Sequence, residues 1–159
     1  MSSEELRNYA TIVAAVVALL VFALNSFSML RNRRIENLAR FNQVHQRLFA
    51  DGGFIARNLA AIEAGTIVRD PDDGEMNELF HRMLIEIERL AILANNKAVP
   101  RPTQVYMFGS YAAKLRDLTT ESERESMFWE LAVGYLDGLA KDTARFQDLS
   151  PVERERFWR

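Results

Sequence analysis

At 159 residues and a net charge of −2, the chain has room for one compact domain and lacks the sustained basic face that nucleic-acid binding needs. It contains no cysteine, which excludes disulfides, thiolate chemistry and Cys-based zinc sites. The hydrophobic content of 48% is inflated by the first thirty residues, after which the composition is that of an ordinary helical protein rich in Ala, Leu, Arg and Glu.

Residues 1–8 form a short polar tail. From Tyr9 to Leu30 no charged side chain occurs. A helix of that length reaches about 33 Å, enough for a hydrocarbon core of about 30 Å. Glu4 and Glu5 oppose Arg7 ahead of the stretch, while Arg31, Arg33 and Arg34 follow it closely. That is a stop-transfer flank and a poor cleavable signal, so 9–30 is read as an uncleaved transmembrane helix. The arginine flank predicts an outside N-terminus and a cytoplasmic body. Ala10, Ala14 and Ala18 share one face at four-residue spacing, a seam that would allow a homo-oligomer within the bilayer.

The segment 31–50 carries five arginines against Glu36, and its apolar residues Ile35, Leu38, Phe41, Val44 and Leu48 recur at helical spacing. It reads as a basic juxtamembrane amphipathic helix continuing the anchor, able to rest on anionic headgroups. Asp51-Gly52-Gly53 ends it. Residues 54–159 are then predicted to form a compact all-α bundle of about four to six helices. Phe54 to Ala64 is a short helix closed by Gly65. Thr66-Ile67-Val68 is too short to assign as a strand, and Asp70 to Gly74 is a turn with Asp72 and Glu75 as a capping box.

Glu75 to Asn95 is the expected centre of the bundle. One face holds Phe80, Met83, Leu84, Ile87, Leu90 and Ala91, and Ile85 with Ile92 marks a second apolar side, as in a helix packed on two sides. After the Pro100-Arg101-Pro102 turn, a helix from Thr103 to Leu118 follows. Thr120 and Glu123 cap a long helix to about Phe146, with Phe128, Leu131 and Leu136 inward and Gly134 and Gly138 marking close helix approach. Ser150-Pro151-Val152-Glu153 opens a terminal helix, and Phe157-Trp158-Arg159 makes an aromatic-basic tail.

No motif carries an obvious reaction. The Asp70–Asp73 run fails as a calcium loop because Glu75 stands where glycine is required and His81 where the twelfth-position Glu belongs. No phosphate loop, metal cluster or nucleophile elbow is present, so neither a cofactor nor an enzymatic role is expected. The remaining candidates are His81 and Glu88, two turns apart on the second face of the central helix. They could bind a polar ligand, or Glu88 could pair with a neighbour such as Arg89 or Arg101.

The run Leu84-Ile85-Glu86-Ile87-Glu88-Arg89-Leu90-Ala91, continued through Val99 to Tyr106-Met107-Phe108-Gly109 and joined to the anchor and its arginine flank, resembles a family of small bacterial proteins known only as a domain of unknown function. The shared pattern is an N-terminal membrane helix and an apolar helix carrying Glu followed by a small residue. Here Asn95-Asn96-Lys97 replaces the usual glycine before the turn. The resemblance implies a bacterial inner-membrane location and carries over no activity.

The expectation is a single-pass membrane-anchored interaction module whose partners are the lipid bilayer and another protein. The alternatives are a ligand-sensing domain at His81 and Glu88, or an accessory subunit of a transport or envelope complex docked through its anchor.

Overall fold

The structure, a computed structural model, describes residues 3–70 and 72–157. Its helices are α1 (Ser3–Leu48), α2 (Phe54–Ala64), α3 (Gly74–Asn95), α4 (Arg101–Asp117), α5 (Glu121–Glu125), α6 (Glu130–Gln147) and α7 (Pro151–Phe157), with no strand among the described residues. The protein is all-α. It divides into two units, Met1–Glu36 and Asn37–Arg159.

In the first unit the apolar side chains face outward, Leu20, Phe22, Leu24 and Phe27 among them. One helix, within Thr11–Leu48, is long and apolar enough to cross a membrane, and its apolar stretch buries nothing against the protein. Such a surface is stable in lipid, where the helix satisfies its own backbone. Ala14 and Ala18 lie exposed on it; the side chains of Ala10 and Arg34 lie outside the described residues, as does the Trp158-Arg159 tail.

The second unit is a helical bundle with one core. It begins inside the stretch 31–50: Phe41, Val44 and Leu48 are buried and join Phe54, Phe80, Phe108 and Leu136. His45 is part-buried. Its Nε2 donates to the Met107 carbonyl at 3.0 Å and its ring lies 4.8 Å from Phe49, which pins this segment to α4. Leu38 stays exposed, so the amphipathic pattern is used only over its second half.

Around the core α4 packs chiefly on α6, α3 on α6, and α2 on α3 and α4. The close approach that lets α4 reach α6 is at Gly109. A Cβ there would collide with Thr143 Oγ1, an atom that donates to the Leu139 carbonyl at 2.8 Å. Of the two glycines expected to mark such contact, Gly134 faces open space, and a Cβ at Gly138 would meet only the Arg101 guanidinium.

Three local expectations need correction. The cap of α3 is Asp73, which accepts from the Met76 N–H at 2.9 Å; Asp70 takes the Asp72 N–H instead, and this shifts the cap register by one residue. The helix expected from Thr120 to Phe146 is broken. Its Thr120–Glu123 capping box is present, but Ser126 turns extended and its Oγ accepts from the Phe128 N–H at 3.2 Å, a local bond that competes with the helical ladder. Phe128 and Leu131 consequently point out of the bundle. Finally, α3 is buried along its predicted inner face, while Ile85 and Ile92 on the other side are 42% and 49% exposed. At the far end Ser150 and Glu153 form the expected reciprocal cap, with Glu153 accepting from the Ser150 N–H at 2.9 Å.

One buried polar atom stands out within the core. The Tyr135 hydroxyl has no hydrogen-bond partner among the described residues, and the Arg101 guanidinium lies 5.8 Å from the centre of its ring. Burial pushes the phenol's pKa up, against the pull of the Arg101 charge. Tyr135→Phe removes an unsatisfied group without a change of shape, so thermal unfolding should occur at the same temperature or higher. A loss of more than about 1 kcal/mol would show that the hydroxyl is satisfied in solution.

Candidate functional site

The densest polar constellation joins three segments distant in sequence. Arg69, in the loop before α3, donates from Nη1 and Nη2 to the two oxygens of Glu123 at 2.7 and 2.8 Å, a bidentate fork. Its Nε donates to Asn77 Oδ1 at 2.6 Å, and its guanidinium lies 4.1 Å from the centre of the Phe80 ring. Glu123 sits in the first turn of α5, where the Thr120 cap holds it and the Thr120 N–H donates to Oε2 at 2.9 Å. Both side chains of this pair are under a tenth exposed.

His81, on α3, completes the group. Its Nε2 stands 2.7 Å from Glu123 Oε1, and its ring stacks on Trp129 with centroids 5.3 Å apart. Burial alone would raise the Glu123 pKa; the Arg69 hydrogen bonds, the Thr120 N–H, the His81 bond and the Arg69 charge outweigh it and hold the group at about 2. Glu123 is therefore a carboxylate that only accepts. It follows that His81 Nε2 carries the proton, and that Arg69 Nη2, 3.5 Å from it, finds no acceptor there. A base held so far below neutrality makes a weak proton acceptor, and every lone pair facing the fork is already taken. Chemically the arrangement is a clamp between the 69–70 loop, α3 and α5.

Of the residues singled out from sequence, His81 belongs to this clamp and Glu88 does not. Glu88 is half-buried, with its pKa raised by desolvation, and no ion pair to it occurs among the described residues. Arg89 turns instead to Glu86, and Arg101 to Asp142 at 2.6 Å. The expected pairing of Glu88 with Arg89 or Arg101 does not occur among the described residues, and His81 pairs with Glu123. The Thr120–Glu123 spacing was visible as a helix cap, but nothing local to Arg69 signals a partner 54 residues away.

A second feature was missed altogether. Between the end of α1, the Asp51–Gly53 turn, α2 and α3 lies a groove of about 420 Å³. Leu48, Phe54, Leu79 and Met83 form its apolar lining; Arg47, Asp51, Arg82 and Glu86 supply its charges. Arg47 Nη1 stands 4.0 Å from Glu86 Oε2, beyond hydrogen-bond reach, and that buried oxygen accepts no hydrogen bond from the described residues. No group of three or more His, Cys, Asp or Glu side chains able to hold a metal occurs among the described residues. Comparison with protein-family models, with curated proteins and with solved structures finds no match.

Proposed function

We propose that the protein is a single-pass membrane-tethered docking module, with its helical bundle on the cytoplasmic side of a bacterial inner membrane and another protein as its partner. Support for the tether comes from the apolar helix and the arginines that follow it, since positive flanks remain on the cytoplasmic side. The bacterial placement comes from the family resemblance described above and is proposed with it.

The observation that carries the docking role is the turn between α5 and α6. Met127 and Phe128 are 79% and 77% exposed, with Leu131 beside them in sequence, a concentration of apolar surface that a lone soluble domain has no reason to present. Glu125 and Glu130 flank it, and carboxylates there disfavour anionic headgroups and leave a protein surface as the better match. A sensing role at Glu88 has less behind it, because the groove is lined by Glu86 and not by Glu88.

A photoreactive amino acid placed at Phe128 tests this in intact membranes. The expected result is one discrete heavier adduct, absent when the same group replaces the equally exposed Val68. Identical smears from both positions would overturn the docking role. If an unrelated apolar helix in place of 9–30 abolished the adduct, the partner would be engaged through the anchor instead.

A further inference from the structure

The turn that carries Met127 and Phe128 is shaped by bonds of its own. The Ser126 N–H donates to the Glu123 carbonyl at 3.3 Å, the Phe128 N–H to Ser126 Oγ at 3.2 Å and the Trp129 N–H to the Ser126 carbonyl at 3.1 Å. All three are local, so they give the turn a form without fastening it to α3. Trp129 stands at the N-cap of α6, and its side chain caps nothing there.

His81 supplies the fastening. Its Nε2 reaches Glu123, three residues ahead of the turn, at 2.7 Å, and its ring stacks on Trp129 with the two planes 19° apart. These two attachments are not equivalent. Without His81, Glu123 would keep both Arg69 bonds and the Thr120 N–H. Arg124 beside it also donates to the Thr119 and Arg116 carbonyls. The entry end of the turn is therefore secured several times over. At the exit end Trp129 is only partly buried against the core, and the imidazole is what stacks on it. The hydrogen bond to Glu123 sets the plane of that imidazole, and the stack passes the orientation on to Trp129.

We propose that His81 is the positioning residue of the docking turn, holding Trp129 so that Met127 and Phe128 stand preformed on the surface. The proposal rests on the docking role for its purpose, while the positioning itself is measured without a partner. A preformed turn spares the ordering cost that a loose one meets on binding.

The test combines amide hydrogen exchange of the full chain in lipid nanodiscs with the adduct formed in membranes by the photoreactive group at Phe128. In His81→Ala the amides of 126–129 should exchange about threefold to tenfold faster, as expected for losing one stacked ring pair. Those of Leu84 and Ile87 on α3 should keep their parental rates, and the adduct yield should fall by a similar factor. His81→Phe keeps a ring against Trp129 and should stay within about twofold of the parent in both readings. His81→Gln can still donate to Glu123 but cannot stack, and should behave like His81→Ala. The reverse order, rescue by Gln and not by Phe, would show that His81 acts only as a partner of Glu123 and would overturn the proposal. Exchange that is unchanged in the turn, or that rises equally on α3, would overturn it too, as would a parental adduct yield from His81→Ala. Should His81→Ala fold poorly, the Phe and Gln variants still decide. A parent chain that forms no adduct at Phe128 would remove the docking role, and the exchange rates would still decide whether His81 positions the turn.

Discussion

Arg69→Ala is expected to lower the stability of the bundle by about 3–5 kcal/mol, because it leaves the Glu123 carboxylate buried without its counter-charge. For a domain of this size that corresponds to a fall of about 10 °C or more in Tm. The same clamp predicts a pH dependence. Glu123 titrates near 4.5 in the unfolded chain and at about 2 in the fold, so its contribution is fully present above pH 4.5 and is lost as pH falls toward 2. The difference is worth about 3 kcal/mol. Replacing both partners by apolar residues, Arg69→Met with Glu123→Leu, should recover much of what Arg69→Ala loses, since no stranded charge remains. Urea unfolding of the parent chain and these two variants at pH 7 and pH 3 reads both effects. An unchanged midpoint for Arg69→Ala would show that Glu123 is solvated and the clamp is not formed.

The second large effect concerns the first unit. Val17 and Leu20 lie near the middle of the apolar helix and are exposed on it. An arginine at the centre of a spanning helix disfavours insertion by about 2.5–3.5 kcal/mol. Val17→Arg with Leu20→Arg should therefore move the chain out of the membrane fraction, whereas Val17→Leu with Leu20→Val should leave it in place. Equal partitioning of the two pairs would show that this helix does not enter lipid. The bundle's own core, built from Phe41 onward, is untouched by either pair.

What could be read from the residues alone was what short-range physics decides. The inner face of α3, with Phe80, Leu84 and Ile87, follows from periodicity, and the Thr120–Glu123 and Ser150–Glu153 caps follow from spacing of three. The break at Ser126 was hidden because a helical pattern continues across it, and one side chain bonding the Phe128 N–H decides against the ladder. Ile85 and Ile92 suggest a second buried face, but spacing within one helix does not say whether a neighbour covers it. Gly109 outranks Gly134 for a reason no spacing reveals, namely that Thr143 lies opposite it.

The candidate site was half legible. His81 stood out as an imidazole on the right helix, but its partner Glu123 lies 42 residues away and was visible only as a helix cap. Arg69 and the groove pair Arg47 and Glu86 are meetings between elements, and periodicity within one element says nothing of them.

We propose that this bundle is held at a membrane by its own N-terminal helix. Alkaline carbonate extraction of cell membranes containing the full chain, followed by high-speed sedimentation, tests it most directly. The uncut polypeptide should remain in the pellet and leave it only with detergent; its recovery in the detergent-free supernatant would contradict the account.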